Sequence, residues 1–145
     1  MKWLLLCLLT IGFTFPCADS NTMQFGSLVY YATRRNILQD YTGYGCYCGI
    51  GGKGQPVDAT DRCCHALGCC YTKLRARGCN PKLKKYKVAL RKGKINCMSM
   101  ADPCMKSVCE CDRSAALCFQ AASKSYRKAY RYFPNVKCRG STPRC

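Results

Sequence analysis

Cysteine limits what this chain can fold into more than any other residue. Of its 16 cysteines, Cys7 and Cys17 fall in the first 20 residues, and the others lie between Cys46 and Cys145. An even set this dense in 145 residues implies a disulfide framework of up to seven bonds. Metal ligation competes poorly. Structural zinc sites favour C-x₂₋₄-C pairs with further Cys or His partners. Here the pairs are C-C and C-x-C, and His65 is the single histidine.

The same chemistry fixes an expected compartment. Met1-Lys2 precedes a leucine-rich apolar stretch over residues 3–15, and the small residues Ala18 and Ser20 have the spacing of a peptidase site. We therefore expect a leader over 1–20, cut after Ser20, and one secreted domain over 21–145. The apolar run is too short for a membrane span. Charge is equally one-sided: 24 Lys and Arg against 7 Asp and Glu give +17. That excess exceeds what solubility requires and favours a polyanion as partner. For a secreted chain, anionic phospholipid surfaces and sulfated glycans are the expected partners, and nucleic acid is not.

Local patterns give the elements. Met23, Phe25, Leu28, Val29 and Ala32 have near-helical spacing, so an N-terminal helix is expected over 21–33, ending near Arg35 and Asn36. Residues 43–56 contain six glycines, which implies a tight irregular loop closed by Pro56. Asp58 or Thr60 suits the start of a long helix that runs to about Arg77, with Gly78 at its C-terminal cap. The lysine-rich stretch 80–95 reads as a small exposed hairpin, and a second long helix is expected from about Asp102 to Tyr126. The tail from Pro134 to Cys145 reads as irregular. The expected fold is mainly α and disulfide-rich: an N-terminal helix, a glycine-rich loop, two long antiparallel helices cross-linked by disulfides, and a small β-hairpin.

Tyr44-Gly45-Cys46-Tyr47-Cys48-Gly49-Ile50-Gly51-Gly52-Lys53-Gly54, then Asp61-Arg62-Cys63-Cys64, Cys69-Cys70-Tyr71 and Cys109-Glu110-Cys111-Asp112-Arg113 follow one another in order. With the ending Cys138-Arg139-Gly140-Ser141-Thr142-Pro143-Arg144-Cys145, they resemble the group II secretory phospholipases A2 over residues 21–145. The resemblance implies bonds of Cys46 with Cys138, Cys48 with Cys64, Cys63 with Cys118, and Cys69 with Cys145. It also implies Cys70 with Cys111, Cys79 with Cys104, and Cys97 with Cys109. It implies calcium held by carbonyls of Tyr47, Gly49 and Gly51 plus an aspartate, and a catalytic histidine oriented by Asp112, to which Tyr71 and Tyr86 donate.

The chain departs from that pattern at the two residues on which the chemistry depends. Between the cysteine pairs stand His65-Ala66-Leu67-Gly68. Leu67 therefore occupies the position of the general base, and Gly68 that of the calcium carboxylate. The spacer keeps its length, so no shift of register restores them. His65 lies two residues earlier, about 200° round a helix, and is expected to point away from the site as a packing residue.

Two function classes follow. One is a catalytically impaired or inactive homologue, a pseudoenzyme with weak or lost calcium. It would bind anionic phospholipid through Phe25 and through Lys124, Arg127, Lys128 and Arg131, which alternate with Tyr126, Tyr130, Tyr132 and Phe133. Phe25, Leu28 and Val29 would line a lipid channel or simply pack the helix. The other is an active calcium-dependent enzyme of lipid metabolism that cleaves the sn-2 ester of glycerophospholipids. It requires other groups in place of Leu67 and Gly68.

Overall fold

The computed structural model describes residues 20–49 and 52–145, with side chains from Thr22 onward. The expected leader up to residue 19 and two loop residues, Ile50 and Gly51, lie outside the described residues. Helix α1 covers Ser20–Thr33 and buries Leu28 and Val29. It stops where Thr33 Oγ1 turns back to the Val29 carbonyl at 2.7 Å and Arg34 takes a φ of 61°. Asn36 then caps a single π-helical turn, Ile37–Tyr41, by accepting from the amides of Leu38 and Gln39. This turn was not foreseen from the sequence, which took Asn36 only as a helix end. It delivers Tyr41 to the core, stacked on Phe119 with ring centroids 4.3 Å apart.

Helix α2, Ala59–Ala76, starts at Asp58, whose carboxylate accepts from the Asp61 amide at 2.9 Å. It ends before Gly78, whose φ of 79° suits glycine at a helix C-terminus. Strands β1 (Val88–Arg91) and β2 (Lys94–Cys97) pair antiparallel around Lys92-Gly93. Both turn residues have positive φ, the twist a two-residue hairpin requires. The hairpin is less exposed than expected. Ile95 is buried, and Arg113 Nε donates to its carbonyl at 2.7 Å.

Helix α3, Pro103–Ala121, has Asp102 as its cap and proline at its first turn. It ends five residues before the expected Tyr126. Ser123 and Ser125 bond back to the carbonyls of Phe119 and Ala122, and short 3₁₀ turns follow. Tyr126 is drawn off the helix path by stacking on Tyr44 at 4.9 Å and by donating to the Asp40 carbonyl.

Seven disulfides lock this arrangement, and they are the pairs that the family resemblance implies. Cys63–Cys118 and Cys70–Cys111 advance by equal steps in opposite directions, so α2 and α3 run antiparallel. Leu28, Val29, Val108, Ala116 and Phe119 form the core where α1 and α3 meet. The fold is the mainly helical, disulfide-rich one expected, with a small two-stranded sheet.

Candidate functional site

The glycine-rich loop is organised by a buried carboxylate. Asp61 is fully buried on the first turn of α2. Its Oδ2 accepts from the amides of Cys46 at 2.8 Å and Val57 at 2.9 Å, and Oδ1 from that of Tyr47 at 2.7 Å. Three backbone donors from both limbs of the loop thus converge on one side chain. Gly45 lies directly over it with φ 59°, and a Cβ there would sit 2.5 Å from the Asp61 Cγ. Sequence reasoning took Asp61 only as part of a motif. Its partners are amides, which leave no mark in side-chain identity.

Tyr47 closes the far side of the loop. Its hydroxyl donates to the Gly54 carbonyl at 2.5 Å, and its ring fills the space a Cβ on Gly52 would need. The His65 imidazole meets that ring edge-on, with centroids 4.8 Å apart. His65 is thus a packing residue, and it is not among those lining the cleft described next. His65, Cys69 and Cys145 lie close enough together to suggest a metal site, but the two sulfurs are bonded to each other.

Between the loop, α1 and α2 lies a cavity of about 240 Å³. Phe25, Tyr47, Gly49, Leu67, Gly68 and Tyr71 line it, together with Ile37, Tyr41, Phe119 and neighbouring loop atoms. Leu67 and Gly68 are therefore in the wall of the cleft. The described lining carries no carboxylate and no histidine. Nothing lies within 4 Å of a Cβ built on Gly68, so the position opens into empty space and is not filled by another group.

Behind this wall Asp112 is fully buried on α3. Tyr71 donates to its Oδ1, and Tyr86 to its Oδ2 at 2.7 Å. Burial, and then the Asp112 charge, push the Tyr86 hydroxyl far above its usual range, so it remains a donor. Tyr71 touches both Asp112 and the cavity, so Asp112 reaches the cleft through a phenol.

The other expected residues divide cleanly. Phe25 lines the cavity, whereas Leu28 and Val29 are core residues and do not. Lys124, Arg127 and Lys128 are exposed on the turns after α3. Arg131, expected in the same lipid-binding patch, is engaged within the fold. It is ion-paired to Asp40 and donates to the Tyr126 hydroxyl at 2.8 Å, which ties the C-terminal turns to the π-helical turn.

Comparison with known proteins agrees with this geometry. The sequence profile described as phospholipase A2 matches residues 22–131. The chain is 44% identical over 145 residues, spanning both chains completely, to a protein of Cavia porcellus named "Phospholipase A2, membrane associated". Identity to the Homo sapiens protein of that name is 43% over 145 residues, again the whole of both. Identity to the group IIE secretory phospholipase A2 of Mus musculus is 45% over 140 residues, covering 97% of this chain and 94% of that one.

Proposed function

The chain belongs to the phospholipase A2 family, in its group II secretory branch, and we propose that it is a secreted member that seats on anionic phospholipid without effective hydrolysis. The observation that carries this reading is the pair Leu67 and Gly68 in the wall of the cleft. Ester hydrolysis by water needs a base within hydrogen-bond reach and a positive group at the developing oxyanion. An isobutyl side chain has no lone pair with which to accept a proton. Asp112 and its two tyrosines form a support for a base that is not there.

Calcium fits poorly as well. The hard cation wants six to eight oxygens with carboxylates among them. Tyr47 and Gly49 offer neutral carbonyls, while Asp61, the acid that holds this loop, is already engaged by three amides. The donor set therefore suits weak binding or none.

Membrane seating is supported by the exposed Lys124, Arg127 and Lys128, followed in the same C-terminal segment by the exposed Tyr132 and Val136. Cations reach phosphates while aromatic and apolar groups enter the interfacial zone. Secretion is supported by the seven disulfides and the absence of free cysteine among the described residues. No described helix is long and apolar enough to cross a membrane. Co-sedimentation in chelator tests the reading. The oxidised protein should pellet with phosphatidylglycerol vesicles and remain in solution with phosphatidylcholine vesicles. Equal partition between the two, or binding only with calcium, would overturn it.

A further inference from the structure

His65 and Cys69 stand one turn apart on α2, so their side chains project from the same face of that helix. Cys69 is bonded to Cys145, which brings a third donor to this face. Both imidazole nitrogens lie 3.9 Å from the Cys69 Sγ, and the donor atoms of the three residues fall within 4.8 Å of one another. The ring is held edge-on against Tyr47, so its place is set before any ligand arrives. None of the three residues lines the cleft.

The Cys69–Cys145 bond is also the most accessible of the disulfides. Cys145 is exposed, alone among the described cysteines, and Cys69 is half-buried. Of the other bonds, all but Cys48–Cys64 contain a buried cysteine: Cys46, Cys63, Cys79, Cys109 or Cys111. Cys48 and Cys64 are both half-buried. Exchange requires an incoming thiolate to reach a sulfur, so access favours attack at Cys69–Cys145. Breaking that bond does not free residues 139–145 at once. The Gln55 amide donates to the Arg139 carbonyl at 2.8 Å, the Gly54 amide donates to Thr142 Oγ1 at 3.1 Å, and Cys138 stays bonded to Cys46. The two new thiols therefore remain close to each other and to His65.

We propose that reduction of this one disulfide creates a zinc site from His65, Cys69 and Cys145. A dithiol reductant gives up two electrons and two protons and ends as a cyclic disulfide, while the Cys69–Cys145 bond becomes two thiols. Zn²⁺ then displaces both thiol protons and takes two thiolates and one neutral imidazole nitrogen, with water as the fourth ligand. Tetrahedral bonds of about 2.3 Å to sulfur and about 2.0 Å to nitrogen set sulfur and nitrogen about 3.5 Å apart, and the sulfurs about 3.8 Å apart. The first separation is close to the 3.9 Å already present. The second needs the exposed Cys145 side chain to swing outwards by about 2 Å. Soft thiolates and imidazole select zinc over calcium or magnesium. The metal thus replaces a covalent clip by a coordinate one and keeps residues 139–145 against the glycine-rich loop. The site is independent of whether the cleft hydrolyses lipid.

The test treats the oxidised full protein with limiting dithiothreitol, then alkylates a sample and maps the labelled cysteines by peptide mass. Cys69 and Cys145 should be labelled together and before any other pair. The unalkylated remainder, freed of reductant, is titrated with Zn²⁺ against a chromophoric chelator, and with Co²⁺ for the visible absorption of a tetrahedral thiolate centre. One equivalent of either metal should bind, and reoxidation of the pair should release it. His65→Ala should weaken zinc binding by about 100-fold or more, since loss of a mere supporting group costs 10- to 100-fold. A Cys69→Ser, Cys145→Ser double variant should bind no zinc under the same treatment. Thermal unfolding midpoints of the oxidised proteins verify folding; should His65→Ala not fold, His65→Phe keeps the ring against Tyr47 and should show the same loss. Earlier labelling of another pair, no zinc uptake once the two thiols have formed, or equal uptake without the imidazole would each overturn the site.

Discussion

Replacing Asp61 by asparagine preserves the shape of the side chain and removes one acceptor from a pocket of backbone donors. Oδ2 serves the amides of Cys46 and Val57, and Oδ1 serves Tyr47. The least damaging amide orientation keeps oxygen at the first position and turns an NH₂ towards the Tyr47 donor. One buried N–H is then orphaned, at about 1–3 kcal/mol, and the other two bonds lose their charge assistance. The expected cost is about 2–4 kcal/mol, a large share of the stability of a domain this size. Disulfides from Cys46 and Cys48 hold the first limb of the loop, so the damage should be local. Amide hydrogen exchange on the oxidised protein is therefore the appropriate assay. The amides of Cys46, Tyr47 and Val57 should lose about 30-fold or more in protection, while those of Val108 and Ala116 in the core keep theirs. Unchanged exchange at the three loop amides would refute the reasoning and assign the loop's order to the disulfides alone.

Burial raises the hydroxyls of Tyr41, Tyr44 and Tyr86 above the ordinary tyrosine value. The native state favours their neutral forms, so the associated stability is complete below pH about 10 and falls as the unfolded chain ionises above it. Tyr86→Phe should lower stability at neutral pH by about 1–3 kcal/mol and flatten that alkaline decline, both measured by guanidinium titration. Gly68→Asp should fold normally, because its Cβ enters open space. Millimolar calcium should then raise the unfolding midpoint of this variant and leave the unaltered chain's unchanged. Removing Lys124, Arg127 and Lys128 together should weaken binding to phosphatidylglycerol vesicles by about 100-fold at low salt, at about 1 kcal/mol per cation, with less effect at high salt.

Local chemistry was legible in the sequence where one residue carried it. Asp58 and Asp102 start helices because their carboxylates cap them, and Gly78 ends one because it tolerates positive φ. The family resemblance implied that Leu67 and Gly68 stand at the cleft, the cysteine pairs fixing their register, and both line it. What was hidden depended on distant partners. The ion pair of Arg131 was invisible because its partner, Asp40, is 91 residues away. The end of α3 was misplaced because Tyr126 is held by Tyr44 and the Asp40 carbonyl, neither of which is near it in sequence. The role of Asp61 was invisible because every one of its loop partners is a backbone amide.

The central claim is that Leu67 and Gly68 disable a scaffold that is otherwise complete. The direct measurement is fatty-acid release from phosphatidylglycerol vesicles by the oxidised protein, with millimolar calcium or with chelator, beside the Leu67→His, Gly68→Asp double variant. The account predicts no release by the unaltered chain under either condition and calcium-dependent release by the double variant. Calcium-dependent turnover by the unaltered chain would contradict it and require another base near the cleft, to be sought first at His65.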